Sequence, residues 1–195
     1  VDDWDGNRVI PCEYKSIREF KNNTFRVHSN RGIGLVDTMG NILIPPVYER
    51  LQDFSSKHRL IQVGRSRGPW GLYNYDGVMI ADTFYGGFER PIDSIIPFHA
   101  NYNYRFIIGQ GWQKNEKKVG LMTLGGKIIA EPLYDRHHYQ STEKHFILRH
   151  GAKTAIVDLE GNLIHGEFAI ASSSRQAELS GQGNQKTTRK SRQKL

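Results

Sequence analysis

Eight of the chain's 21 aromatic residues stand within 29 positions, from Phe84 to Trp112. In "NYNYRF" the alternation of Tyr102, Tyr104 and Phe106 predicts a strand with one aromatic face. Such a face can stack on a sugar, a nucleobase or a proline-rich peptide. Arg105 and Trp112 are the side chains best placed in sequence to complete that site. A second candidate lies in the last thirteen residues, where Lys186, Arg189, Lys190, Arg192 and Lys194 occur without an acid. A flexible cationic segment of this kind can meet nucleic-acid phosphates, an anionic lipid face or an acidic protein groove.

Other chemistry is poorly represented. His137, His138, His145 and His150 are close in sequence, and a hairpin could bring two of them together. They lack companion cysteines and the His-Glu-x-x-His spacing of a zinc site, so no metal is expected. Neither a Gly-x-Ser-x-Gly elbow nor a phosphate-binding P-loop occurs, and no carboxylate pair stands in a recognisable catalytic setting. The expectation is a protein that is not an enzyme and carries no cofactor. The lone cysteine, Cys12, excludes an internal disulfide framework. No apolar run reaches the roughly 18 residues of a membrane-spanning helix. The net charge is +7, and removing the five basic residues after Gly183 leaves +2, so the body of the chain is nearly neutral.

The elements that would carry these residues recur. In "PWGLYNYDG" Gly71 is followed by the apolar Leu72 and, six residues after Gly71, by Gly77. The spacing returns as Gly34, Leu35 and Gly40, as Gly120, Leu121 and Gly126, and with alanine as Ala155, Ile156 and Gly161. Asp5 and Gly6 mark a truncated fifth copy. The second glycine of each set fits a tight hairpin turn, which places one residue at positive φ. A tyrosine follows eight residues later as Tyr14, Tyr48, Tyr85 and Tyr134, whereas the last copy has Phe168 one place early. Pro11 and Pro45, five residues past their glycines, are expected to end the second strand. Successive turn glycines are 34, 37, 49 and 35 residues apart, a period typical of repeat arrays.

"GPWGLYNYDGVMIADTFY" resembles a WG repeat, also called a KWG repeat, a bacterial unit of Trp-Gly, strand, acidic-Gly turn, apolar strand, Pro and Tyr. Only Trp70 keeps the tryptophan; Ile33, Val119 and Thr154 stand in its place elsewhere, and the resemblance covers about residues 1 to 168. It implies a non-enzymatic, β-rich scaffold and supplies no catalytic residue. The expected fold is all-β, with four complete and one partial WG-like hairpin repeats over residues 1–171, followed by a basic, disordered tail over 172–195. The repeats would form an open twisted sheet or solenoid, with a partial propeller as the alternative. Because Val1 aligns with Leu35, the array opens in mid-repeat, which predicts more repeats or another domain upstream.

Three functions follow from these features. The first is a scaffold presenting a β surface to a protein partner. A nucleic-acid-associated module acting through the basic tail is the second. The third is carbohydrate or peptide binding by the aromatic insertion 84–112. Bacterial cytoplasm is the expected compartment, with envelope or secretion second.

Overall fold

A computed structural model describes residues 13–65, 68–100, 104–107, 111–114 and 117–169, with residues 104–107 and 111–114 described as backbone only. No helix occurs among them. Sixteen strands form four antiparallel sheets of four, and two more form a separate hairpin. The first sheet holds β1 (Ser16–Glu19), β2 (Thr24–His28), β3 (Ile33–Asp37) and β4 (Ile42–Tyr48) in chain order. The second holds β5 (Arg50–Ser55), β6 (Leu60–Gly64), β7 (Trp70–Asn74) and β8 (Met79–Tyr85).

The third sheet contains β9 (Gly87–Phe88), β10 (Ile95–His99), β13 (Val119–Thr123) and β14 (Ile128–Tyr134). Between β10 and β13 the chain leaves to form the hairpin of β11 (Tyr104–Ile107) and β12 (Gly111–Lys114). The fourth sheet is β15 (Arg136–Gln140), β16 (His145–His150), β17 (Lys153–Asp158) and β18 (Leu163–Gly166). Each repeat is therefore a whole sheet, and the WG-like hairpin supplies only its last two strands. The first two strands of each unit carry no glycine marker at fixed spacing, which is why the sequence pattern shows half the unit.

Consecutive sheets pack face to face. Leu35 and Ile44 of the first sheet meet Ile61 and Tyr73 of the second. Leu72 and Ala81 meet Ile96, Phe98 and Met122 of the third. Leu121 and Ala130 then meet Phe146, Leu148 and Val157 of the fourth. Most of these side chains are fully buried, and at about 25 cal/mol per Å² of apolar surface this burial is the main force joining units. Among the described residues no hydrophobic cluster joins the fourth sheet to the first, so the series is open.

The turn glycines Gly40, Gly77, Gly126 and Gly161 all have positive φ, between 81° and 92°. A side chain opens each of these turns. Asp37 Oδ1 accepts from the Met39 and Asn41 amides, Asn74 Oδ1 from those of Asp76 and Val78, and Asp158 Oδ1 from those of Glu160 and Asn162. These bonds offer the backbone a ready-made turn partner.

The prolines behave differently from the sequence expectation. Pro45 and Pro46 lie inside β4, and Pro132 lies inside β14; neither strand ends there. Both are the edge strands of their sheets, and their pairing with β3 and β13 shifts register across the prolines, between Ile44 and Tyr48 and between Ala130 and Tyr134. A residue without an N–H costs nothing at an unpaired edge position or a bulge. Pro11 lies outside the described residues.

Candidate interaction surface

The last strand of every sheet exposes apolar side chains at matching positions. Ile42, Met79, Ile128 and Leu163 each stand two residues past a turn glycine, and all four are exposed, Ile42 at 57% and Met79 at 51%. Val47 and Phe84, seven residues past theirs, are exposed too, and Phe84 reaches 61%. Met39, Val78 and Ile164 add to the same strand ends.

The turn glycines show that these positions adjoin from unit to unit. A Cβ on Gly77 would lie 2.5 Å from the Leu43 carbonyl oxygen, and one on Gly126 would lie 2.2 Å from that of Ile80. The turn of one unit thus presses on the last strand of the unit before it. Val78 and Met79 follow Gly77 directly, so they lie beside the strand that carries Ile42. The contact recurs with Gly126 against Ile80 and Gly161 against Ile129, so each last strand adjoins the turn of the next unit, and this run of exposed last strands is the ridge. Exposed apolar side chains mark interaction sites when they form a contiguous patch.

The junctions beneath the ridge carry polar networks. Between the first and second sheets, Lys21 Nζ donates to Asp53 Oδ2 at 2.6 Å, and the Tyr75 hydroxyl donates to Asp53 Oδ1 at 2.6 Å. Burial acts to raise the Asp53 carboxyl, but hydrogen bonds from Lys21, Ser56 and Tyr75 outweigh it and hold it below the usual range. The Tyr48 and Tyr73 hydroxyls meet at 2.9 Å, and burial with this contact keeps Tyr48 protonated well beyond the ordinary tyrosine range.

At the third junction Glu89 bridges two histidines. Its Oε2 is 2.9 Å from His137 Nε2 and its Oε1 is 2.8 Å from His99 Nε2, with Lys117 Nζ at 3.9 Å. The His99 contact is an ion-pair distance without hydrogen-bond direction, so neither ring nitrogen of this buried histidine is hydrogen-bonded. Burial first and Lys117 second push the His99 imidazole below its ordinary value, against the pull of Glu89. For Glu89 burial acts upward, but His137, His99 and Lys117 hold the carboxyl below its usual range. Among the described residues no group of His, Cys, Asp and Glu is arranged to hold a metal ion.

The four clustered histidines do not meet across their hairpin. His138 stands opposite Ile147, and His145 opposite Gln140 and Asp158. His137 instead meets Glu89 and lies in the same cluster as His99, residues 38 and more positions upstream. Sequence reasoning passed over Glu89 and His99, because the packing of the fourth sheet against the third that brings them to His137 leaves no local spacing to read.

Of the aromatic residues in 84–112, Tyr85, Phe88 and Phe98 belong to the core. Tyr85 packs edge-on against Phe98 at 4.9 Å and Phe88 at 5.5 Å. The extra chain is thus confined to the stretch between β10 and β13. There Tyr104 stands opposite Lys114, Arg105 opposite Gln113 and Phe106 opposite Trp112 in register. Tyr102 lies outside the described residues, as do Lys186, Arg189, Lys190, Arg192 and Lys194. In the loop before β13, Lys118 is paired with Asp135, and Lys117 points toward Glu89.

A family model described as WG containing repeat matches residues 1–30 and 33–62. No curated protein matches the chain. Among solved structures the chain is similar to a eukaryotic initiation factor, at 11% identity and a TM-score of 0.38, over 77% of this chain and 41% of that one. It is similar to Kluyveromyces lactis Hsv2p, at 12% identity and a TM-score of 0.34, over 79% and 50%. The computationally designed Ika8 protein gives 11% and 0.30, over 78% and 49%. The chain spans half or less of the length of each of these three.

Proposed function

We propose that this chain, which carries WG repeats, is a non-enzymatic scaffold that holds a protein partner along the ridge of its last strands. One observation supports this above the rest: exposed apolar residues recur at the same repeat position in all four sheets. Folding alone has no use for them, since the buried faces already join the units. Each exposed side chain retains a hydrophobic gain that only a partner can collect. Aromatic and sulfur side chains such as Phe84 and Met79 are also the types enriched where proteins meet.

The test is recovery of partners from the host by the full chain and by an Ile42→Ser, Met79→Ser, Phe84→Ser variant. The variant is expected to fold with an unchanged melting temperature and to lose the partner by about tenfold or more. Undiminished recovery would remove the ridge from consideration. A partner that both forms retain, and that leaves with added salt, would move the function to the basic tail.

A further inference from the structure

One row of the fourth sheet differs in charge from its counterparts, which are Ser16, His28 and Ile33 in the first sheet and Gly87, His99 and Val119 in the third. In the second sheet Arg50, Gly64 and Trp70 stand opposite one another across β5, β6 and β7. The Arg50 guanidinium lies over the indole, 4.4 Å from its centroid. Gly64 makes room for the ring, because a Cβ there would come within 2.8 Å of it. The matching row of the fourth sheet is Arg136, Arg149 and Thr154. Threonine offers Arg136 no ring to lie on, and the glycine has become a second arginine.

Two guanidiniums thus face each other on one antiparallel pair, an arrangement that is destabilising by itself. Among the described residues neither is in an ion pair, although Arg136 also borders the neighbouring cleft that holds Glu89 and Asp135. Neither has a carboxylate within ion-pair distance or an aromatic ring beneath it. The neighbouring acid, Asp135, is held by Lys118 and the Gly151 amide. The first sheet also opposes two arginines, Arg18 and Arg26, but there Arg26 folds over the Phe20 ring at 4.9 Å. Arg136 and Arg149 instead border an open cleft of about 300 Å³, whose walls are completed by His137, His138 and Ile147. The lining contains no acid.

We propose that this cleft binds a phosphate dianion. The planar guanidinium fork matches phosphate oxygens in pairs, and two such forks on adjacent strands can engage one anion from two sides. His138 adds a third polar group, and Ile147 supplies an apolar wall for whatever carries the phosphate. The proposal stands apart from the ridge, and either can fail alone. The same chemistry could come from a free phosphorylated small molecule or from a phosphorylated side chain of a partner protein.

The test uses the full chain at constant pH and ionic strength, following the His138 ring resonances while inorganic phosphate replaces chloride. A saturable shift is expected, and Arg136→Gln and Arg149→Gln should each weaken it about tenfold or more, as loss of a charge-assisted pair does. Arg31→Gln, an exposed arginine of the first sheet, should leave it unchanged. A response that never saturates, or that falls equally in Arg31→Gln, overturns the site. Two further arms identify the source within a confirmed site. A phosphoserine peptide that binds more tightly than inorganic phosphate assigns a phosphorylated protein segment. A simple phosphate monoester that binds as well as the peptide assigns a small molecule.

Discussion

At the scale of single residues, glycine has two separate duties in this fold. Gly77 holds a φ of 81°, and its missing side chain leaves room for the Leu43 carbonyl of the preceding sheet. Gly77→Ala should therefore lose ~2 kcal/mol or more, through backbone strain and a forced retreat of β4 together. Gly87 has neither constraint, since nothing lies within 4 Å of a Cβ built there. Gly87→Ala should stay within about 0.5 kcal/mol of the parent. Urea denaturation of the two variants separates these outcomes, and equal effects would mean that the inter-sheet contact at Gly77 is slack. The turn duty was legible in the sequence, because positive φ calls for glycine wherever it occurs. The contact duty was not, because the carbonyl it spares belongs to a strand more than thirty residues away. Trp70 stood out in the sequence for its resemblance to the Trp-Gly of a WG repeat, but its role as the platform for Arg50 needed the register of β5, β6 and β7.

The junction between adjacent sheets is the element at which pH should act. Glu89 and His99 both hold protons less tightly in the folded chain than in the unfolded one. Their contribution is complete above the ordinary histidine value of 6.5, and it declines as pH falls. The loss begins with His99 as pH drops below that value. It continues with Glu89 once pH passes below the ordinary carboxyl value of 4.5. Thermal melting should show the midpoint falling from pH 7 to pH 5, and His99→Gln should flatten that leg. A melting temperature that is level over this range, or equally steep in His99→Gln, would show that the cluster does not hold the third and fourth sheets together. Tyr48, Tyr85 and Tyr134 show how far element-scale reading of the sequence reached. Their common spacing marked them as part of the repeating unit, and each does lie at a junction, Tyr134 at 2% exposure. The two leading strands of each unit escaped the same reading, since no one residue recurs at a fixed position of them in all four units.

At the scale of the whole series, the second and third sheets have a packed neighbour on each side among the described residues, whereas the first and fourth have one. Leu72 and Leu121 are fully buried between neighbouring sheets, whereas Ile156, in the matching position of the fourth sheet, is only half-buried. Amides of β16 and β17 should therefore exchange with solvent faster than those of β6 and β7, by roughly tenfold or more. Hydrogen-exchange mass spectrometry measures this directly, and uniform protection would mean that the four sheets open as one unit. The open series also explains why function was harder to read than fold. A repeat pattern records what each unit needs from its neighbours, while the proposed interaction ridge consists of exposed residues outside the buried faces that join the units. One further property follows from the connections between sheets, which are the single residues Glu49, Gly86 and Asp135. Chain cannot be added at these points without separating two packed faces, whereas the β11 and β12 hairpin shows that it can be added inside a sheet, between β10 and β13. For protein engineering this makes the tip of that hairpin the natural seat for a fused tag or reporter domain, and the three connectors the positions to leave alone.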